Sequence, residues 1–511
     1  PSLEIDSLSN RAFIQIKLSE HEKKSISCRS ELCTYTLMNN ESPSMGHVWS
    51  TYVIKNFKND SIAGIEIQVS GFSEWIDQKT YLKSDNHKIW KDFPGVFFDE
   101  LIEINDVISE STTIQFFNLS GLISIEQAEK NTYDIIRLFS LLMAVPSTIE
   151  SLWLIDQHGN HKQPFYFATA PKNTKSFQNA RECLIQPDDI TIDVGWKKLF
   201  DNYFSIPKYP VFETIWGRIT PLFSYSGFWE YEILGYVSIL DAYCSGYVRK
   251  NGKKLTKSNY KAIKQDLLSV VNKHGEQLDE NYIGVINSFK EGIKSIKNSN
   301  LPTFKQKFDF MYGDVHSDIQ KVINFSKEEF LTIKKIRDAA AHGLPIETVN
   351  GKNLSYEFKV KDKLLLLLLY LSYRDFGISP KQFAISMKNS LSKFIRNINI
   401  DSVTRDKLTE MVPFWEIDED SFKKAKEASK SYVGIECVKS NNTYRFSQII
   451  TNECQNWLKQ NPKKNRILIE HVREKLFDDK NFEIEFVSEA YLVRGQHKLH
   501  FSGLCKVTYL I

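Results

Sequence analysis

The segment KKIRDAAAHGLP places Arg337 five residues ahead of His342, with Asp338 directly after the arginine. A guanidinium offers a planar fork of donors that fits a phosphate, and an imidazole moves protons near neutral pH. With a carboxylate to hold one ring nitrogen, these three groups have the types needed to bind and break a phosphodiester. Asp338 stands four residues before His342, so on a helix the two share a face. His342 is followed by Gly343 and then Pro345, which puts it in a last helical turn, where the negative end of the helix dipole favours a cationic ring. Ala339, Ala340 and Ala341 are small enough to let a second helix or subunit come close. Lys334 and Lys335 lie just upstream as substrate contacts, although charged pairs on a helix more often form a solvated face, and the alternative role for Asp338 is a pairing with Lys334 four residues before it.

The spacing alone does not decide the matter. With 14 arginines and 11 histidines in the chain, roughly 0.3 chance matches to Arg-x4-His are expected. A second match runs from Arg466 to His471, in RILIEH. There Ile467 follows the arginine, Ile467 to Ile469 read as core, and the helical pattern continues through HVREKLF. His471 is therefore read as structural.

The elements that must position these residues fall into three regions of an α+β multidomain chain. Residues 1–210 form a β-rich N-terminal region. FIQIKL, GHVWSTYVI, GIEIQVSGFSEWI and TTIQFFNL carry β-branched and aromatic residues in partial alternation. Ser124 to Met143 breaks that pattern with a helical stripe of Ile135, Leu138, Phe139 and Leu142. Residues 211–398 read as helices with short links, implying an all-α helical bundle. The segments are one opening at Trp229 and Glu230 and reaching about Val248, then KSNYKAIKQDLLSVVNKHG, ENYIGVINSFKEGIKSIKN, KEEFLTIKKIRDAAAHG, KDKLLLLLLYLSYRDFG and PKQFAISMKNSLSKFIRNI. Residues 399–511 form a small α+β C-terminal region. FSQIITNECQNWLKQ and RILIEHVREKLF are helical, and FEIEFVSEAYLV pairs with LHFSGLCKVTYLI through a turn at RGQHK.

Composition sets the remaining bounds. The chain has 511 residues and a formal charge of +3, from 66 basic and 63 acidic side chains. So near a balance neither demands nor excludes a nucleic-acid partner. Seven cysteines, an odd number in a long chain, suit reduced thiols. Cys28 and Cys33 are the one close pair, with no histidine cluster beside them, so no zinc site is expected. No HExxH or Cys-x2-Cys occurs, and Asp418 and Asp420 lie in a charged stretch that reads as solvated surface. No metal or other cofactor is expected. The N-terminal residues carry no signal-peptide pattern, and the longest apolar run, Leu364 to Leu371, is under half of what a bilayer needs. The expectation is a soluble cytoplasmic protein without a membrane partner.

Arg337, Asp338 and His342 at the end of a late helix resemble the signature of HEPN domains. The earlier helix EYEILGYVSILDAYCSGYV is similar to the first long HEPN helix, with Asp241 where an acidic residue is often found. A β-rich region containing GFSEWI ahead of such a bundle resembles the ApeA family of anti-phage, abortive-infection proteins, over residues 30–398 or so. The resemblance implies a metal-independent HEPN endoribonuclease acting on cellular RNA, with transfer RNA a candidate substrate. It implies a homodimer or higher homo-oligomer through the bundle, and a phage-derived activator as a candidate trigger. Arg337 would hold the scissile phosphate, His342 would act as general acid or base, and Asp338 would orient the ring. Five residues turn a helix by about 500°, so Arg337 and His342 do not share a face; two copies of the pair around one phosphate would complete a site. Tyr225, Phe228 and Trp229 offer base-stacking faces but are read as bundle packing, Trp75 as core, and Asp241 as ordering the bundle. The rival to catalysis is a HEPN bundle that only binds RNA or dimerises.

Overall fold

The structure is a computed structural model that describes residues 11–17, 23–29, 52–54, 62–71, 75, 100–106, 112–118, 122–156, 162–166, 180–204, 215–225, 227–296, 298, 301, 303–342, 355–428, 431–438, 443–461, 469–476 and 482–509. The chain mixes helices and strands and divides into two compact units, Pro1–Ile400 and Asp401–Ile511.

In the first unit, strands β1 (Arg11–Lys17), β2 (Lys23–Arg29), β3 (Tyr52–Ile54), β4 (Ile62–Val69), β5 (Glu100–Asp106), β6 (Thr112–Asn118), β7 (Ile149–Asp156) and β8 (Lys162–Tyr166) join in the order β1-β2-β3-β8-β7-β4-β6-β5. Every pairing is antiparallel. Helix α1 (Ile125–Met143) starts where the Ser124 hydroxyl accepts from the Gln127 amide, and stops where Ala144 turns left-handed at φ 56°. Its stripe of Ile135, Leu138, Phe139 and Leu142 is fully buried. Trp75 is sealed edge-on against Phe139 and Trp196, and its indole N–H donates to the Ile185 carbonyl at 2.8 Å. Of its neighbours in GFSEWI, residues 72–74 and 76 lie outside the described residues.

Helices α2 (Pro187–Ile192), α3 (Trp196–Phe204) and α4 (Thr220–Phe223) lead into the remaining described helices of the unit, some long and some short. These are α5 (Trp229–Asn251), α6 (Lys257–Gly275), α7 (Ile283–Ser295), α8 (Phe304–Gly313), α9 (Ser317–Ile323), α10 (Lys327–His342), α11 (Ser355–Phe376), α12 (Pro380–Asn389) and α13 (Lys393–Asn397). Helix α5 packs against α8, α10 and α11, and α10 also packs against α11. The middle of helix α11 is apolar all round, as a segment at the centre of a core must be: Leu364 to Leu371 are all buried. Among the described residues no helix is long and apolar enough to cross a membrane. Helices on both sides of residue 210 share this core. The Tyr373 hydroxyl on α11 donates to the Leu141 carbonyl on α1 at 2.6 Å, and the Asn202 amide on α3 donates to the Phe376 carbonyl at 2.8 Å.

The second unit carries α14 (Ser402–Thr409), β9 (Phe414–Glu416), α15 (Glu419–Glu427), β10 (Ser431–Val438), β11 (Thr443–Ser447), α16 (Gln448–Gln460), α17 (Ile469–Leu476), β12 (Phe482–Arg494) and β13 (His497–Tyr509). The strand order is β11-β10-β13-β12-β9. Strands β12 and β13 form a long antiparallel hairpin that pairs Arg494 with His497 and turns through Gly495 at φ 57°. Helix α16 lies on β10 so closely that a Cβ on Gly434 would stand 2.3 Å from the Ile450 Cβ.

Candidate functional site

The helix that carries the sequence motif, α10, is anchored at its start by a reciprocal cap. The Glu329 amide donates to the Ser326 hydroxyl at 3.1 Å, and the Ser326 amide donates to the Glu329 carboxylate at 2.7 Å. The other oxygen of that carboxylate accepts from the Lys363 ammonium on α11 at 2.7 Å, and Lys363 also donates to the Asn324 carbonyl at 2.9 Å. Ile333 and Ile336 are buried on one face of α10. That fixes the rotation of the helix and brings Lys334, Arg337 and Asp338 to a partly exposed flank.

There the Arg337 guanidinium lies over the ring of Phe304, at the start of α8, with 5.5 Å to the ring centroid. Phe304 is itself held by Phe330 at 5.1 Å, which stacks on Phe308 at 4.5 Å. An aromatic column thus backs the guanidinium in a cation–π contact worth about 0.5–2 kcal/mol. The arginine also donates Nε–H at 2.9 Å and one Nη2–H at 2.7 Å to the same Asp338 oxygen. The Lys334 ammonium stands 3.6 Å from the other oxygen. Partial desolvation raises the Asp338 pKa, but hydrogen bonding to Arg337 and the two nearby cations outweigh it and hold the carboxyl below its ordinary value. The two bonds use two of the five guanidinium N–H groups. Three others are available to an anion.

His342 ends α10 and is exposed. No hydrogen bond or ion pair joins it to Asp338, whose carboxylate faces Arg337 and Lys334 instead. The structure therefore gathers Lys334, Arg337 and Asp338 into one ionic group and leaves His342 beyond it at the helix end. Lys335 points to solvent. Gly343 and Pro345 lie outside the described residues, as does Arg466 of the second Arg-x4-His match. That match's histidine, His471 on α17, pairs at 2.8 Å with Glu453 on α16 and ties those helices together.

Other expected residues fall as follows. Asp241 on α5 lies 3.6 Å from the Lys307 ammonium on α8, which donates to Ser245 at 3.0 Å, so this carboxylate helps tie α5 to α8. Phe228 is 73% exposed and Tyr225 42% exposed, at the N-terminal end of α5, against the expectation of bundle packing. Trp229 does pack, against Phe358. Asp418 caps α15 through the Ser421 amide, and Asp420 pairs with Lys424. No cluster of three metal-ligating side chains occurs among the described residues. Cys33 lies outside the described residues.

Sequence reasoning passed over Phe304 and its helix. The signal was present: Thr303 and Gln306 form a capping box that announces α8.

No protein-family model, curated protein or solved structure matches this chain.

Proposed function

We propose that this chain is a metal-independent endoribonuclease of the HEPN type, similar to the ApeA anti-phage effectors, in which Arg337 clamps the scissile phosphate and His342 moves the proton. The observation that carries the reading is the pairing of an anchored, partly exposed arginine with an exposed histidine at the end of the same helix, α10. A guanidinium held over Phe304 and by Asp338 is restricted in position, which favours bidentate contact with phosphate. Asp338 already neutralises part of its charge, so the phosphate must compete for it, and the lone chain rests in a state of weak substrate affinity.

The histidine would take the proton of a ribose 2′-OH, which then attacks the adjacent phosphorus, or would return a proton to the departing 5′ oxygen. The products are a 2′,3′-cyclic phosphate and a 5′-OH, and DNA resists because it lacks the nucleophile. About 140° of helix rotation separates Arg337 from His342, so one copy surrounds a phosphate poorly and two copies of α10 complete the site. In this reading residues 211–398 are the HEPN bundle, the β-rich residues 1–210 sense or restrain, residues 399–511 have an open role, and transfer RNA is the first substrate to test.

A second reading, an RNA-binding or dimerising bundle without catalysis, draws on the separation of His342 from Asp338. Incubating total RNA with wild-type protein and His342→Ala, each with and without chelator, distinguishes them. Catalysis predicts cleavage that persists in chelator and vanishes with His342→Ala. Equal cleavage by the two proteins would end the nuclease assignment to this histidine.

A further inference from the structure

From Arg249 in the last turn of α5 to Lys264 on α6 the chain carries seven basic side chains and no acidic one. With 66 basic and 63 acidic residues in 511, a stretch of that length averages about two of each. Arg249, Lys250, Lys253, Lys254, Lys257 and Lys261 are exposed. None of the six pairs with a carboxylate among the described residues, whereas Lys294, Lys305 and Lys321 on the neighbouring helices α7, α8 and α9 each pair with an acid about one turn away.

The turn that holds these cations is braced. The Gly252 amide donates to the Val248 carbonyl at 2.7 Å, and a Cβ on Gly252 would stand 2.5 Å from that oxygen. The Asn298 side chain accepts from the Leu255 amide at 3.0 Å and donates to the Leu255 carbonyl at 2.9 Å. The Lys254 ammonium donates to the Arg249 carbonyl at 2.8 Å. The charges are therefore held together although they repel. Lys257 and Lys261 stand one turn apart on α6, a like-charge spacing that weakens a helix. The first turn of α6 also has no acid to meet the positive end of its dipole. A polyanion laid on the turn would relieve that repulsion and gain from the release of its own counterions.

We propose that the α5–α6 turn is a docking surface for the phosphate backbone of single-stranded RNA. Helices α5 and α8 run side by side in one direction, with Asp241 beside Lys307 and Tyr247 beside Phe310. Arg337 sits over Phe304 at the start of α8, so along α5 the turn lies about 15 Å beyond that level. Between the two levels stand the rings of Tyr247 and Phe310, 5.7 Å apart, with Phe310 39% exposed. They offer a face on which a base can stack. A strand held by the turn reaches the level of Arg337 within a few nucleotides. The rings and Arg337 favour RNA over a lipid surface, which shares only the phosphate. The choice of RNA rests on the ribonuclease reading, while the readout is binding and not cleavage.

The test measures binding of a fluorescein-labelled oligouridylate to the full chain carrying His342→Ala, so that no cleavage intervenes, over a series of salt concentrations. Lys253→Gln, Lys257→Gln and Lys261→Gln are then added together. These side chains are exposed and glutamine is as good a helix former as lysine, so the circular dichroism spectrum should not change. Each phosphate contact on a single strand adds about 0.7 to the slope of log K against log salt, so the slope should fall by about 2 and the affinity at ~0.1 M salt by about 100-fold. Lys407→Gln, Lys423→Gln and Lys426→Gln, exposed on α14 and α15 of the second unit, remove the same charge and should leave the affinity within about threefold. A chain that does not bind the RNA overturns the proposal, as does a loss under about tenfold in the turn variant or an equal loss in the control. So does a turn variant that keeps the RNA but releases vesicles of equal parts phosphatidylserine and phosphatidylcholine, since the turn then serves lipid. Cleavage by the chain with His342 intact is scored separately. Binding that depends on the turn without any cleavage sinks the ribonuclease reading and leaves the docking surface standing. Cleavage with binding indifferent to the turn does the reverse.

Discussion

Replacing Lys363 with methionine tests how the candidate site is held. Lys363 and Glu329 bridge α11 and α10 at 2.7 Å, with side chains only 8% and 11% exposed. Removing the ammonium strands a buried carboxylate and leaves the Asn324 carbonyl without that donor. Breaking a buried pair from one side costs about 3–5 kcal/mol. Glu329 keeps its bond from the Ser326 amide, so the lower end applies, ~3 kcal/mol. The chain holds two units, so a global melt would blend separate transitions. Hydrogen exchange at the amides of α10 reads the relevant opening, and ~3 kcal/mol corresponds to exchange about 150-fold faster. Adding Glu329→Gln to Lys363→Met removes the stranded charge and should recover part of the loss. Exchange within about threefold of wild type, well under 1 kcal/mol, would refute the reasoning. So would a double variant no slower than the single one.

Three further outcomes follow from the same geometry. Gly434→Ala drives a Cβ into Ile450 and to 2.9 Å from the Thr451 backbone nitrogen, so it should destabilise the second unit by about 1–3 kcal/mol in urea unfolding. Tyr373→Phe removes a buried hydroxyl that donates to Leu141 at 2.6 Å and should cost about 1–3 kcal/mol by the same measurement on the first unit. The Asp338 carboxyl is held below its ordinary value, so the stabilisation from its contacts with Arg337 and Lys334 is present above the usual aspartate range and is lost as pH falls through the lowered value. Those groups are partly exposed, so the term is under about 1 kcal/mol, and Asp338→Asn should flatten the loss of hydrogen-exchange protection of α10 at acid pH and, on the proposed nuclease reading, raise the affinity for RNA by freeing Arg337.

The legible parts of the fold are those where local signals agree. KSNYKAIKQDLLSVVNKHG is a helix from Lys257 to Gly275 because its stripe, its Thr256 cap and its terminal glycine coincide. The β12–β13 hairpin was readable from two alternating runs around a glycine turn. Helices α8 and α9 were not: α8 is crowded with phenylalanine and lysine, which hides the period that marks a helix, and α9, at 7 residues, is too short to show one. At the site, the sequence pointed to Arg337, Asp338 and His342 but not to their mutual arrangement. Asp338 has cations within reach at Arg337 and Lys334 as well as the ring one turn on, and only the rotamers decide among them. The seat of Arg337 depends on Phe304, on a helix before α10 in the chain, and no local pattern encodes that contact. The exposure of Phe228 and Tyr225 was missed because aromatic residues at a helix start ordinarily pack.

The most direct test is the chemistry of the RNA ends. RNA treated with wild-type protein in chelator should acquire 2′,3′-cyclic phosphates, while RNA methylated at every 2′ oxygen should stay whole and His342→Ala should leave both intact. Cuts in the methylated RNA, or ends bearing a 3′-OH, would contradict a histidine acting on the ribose hydroxyl.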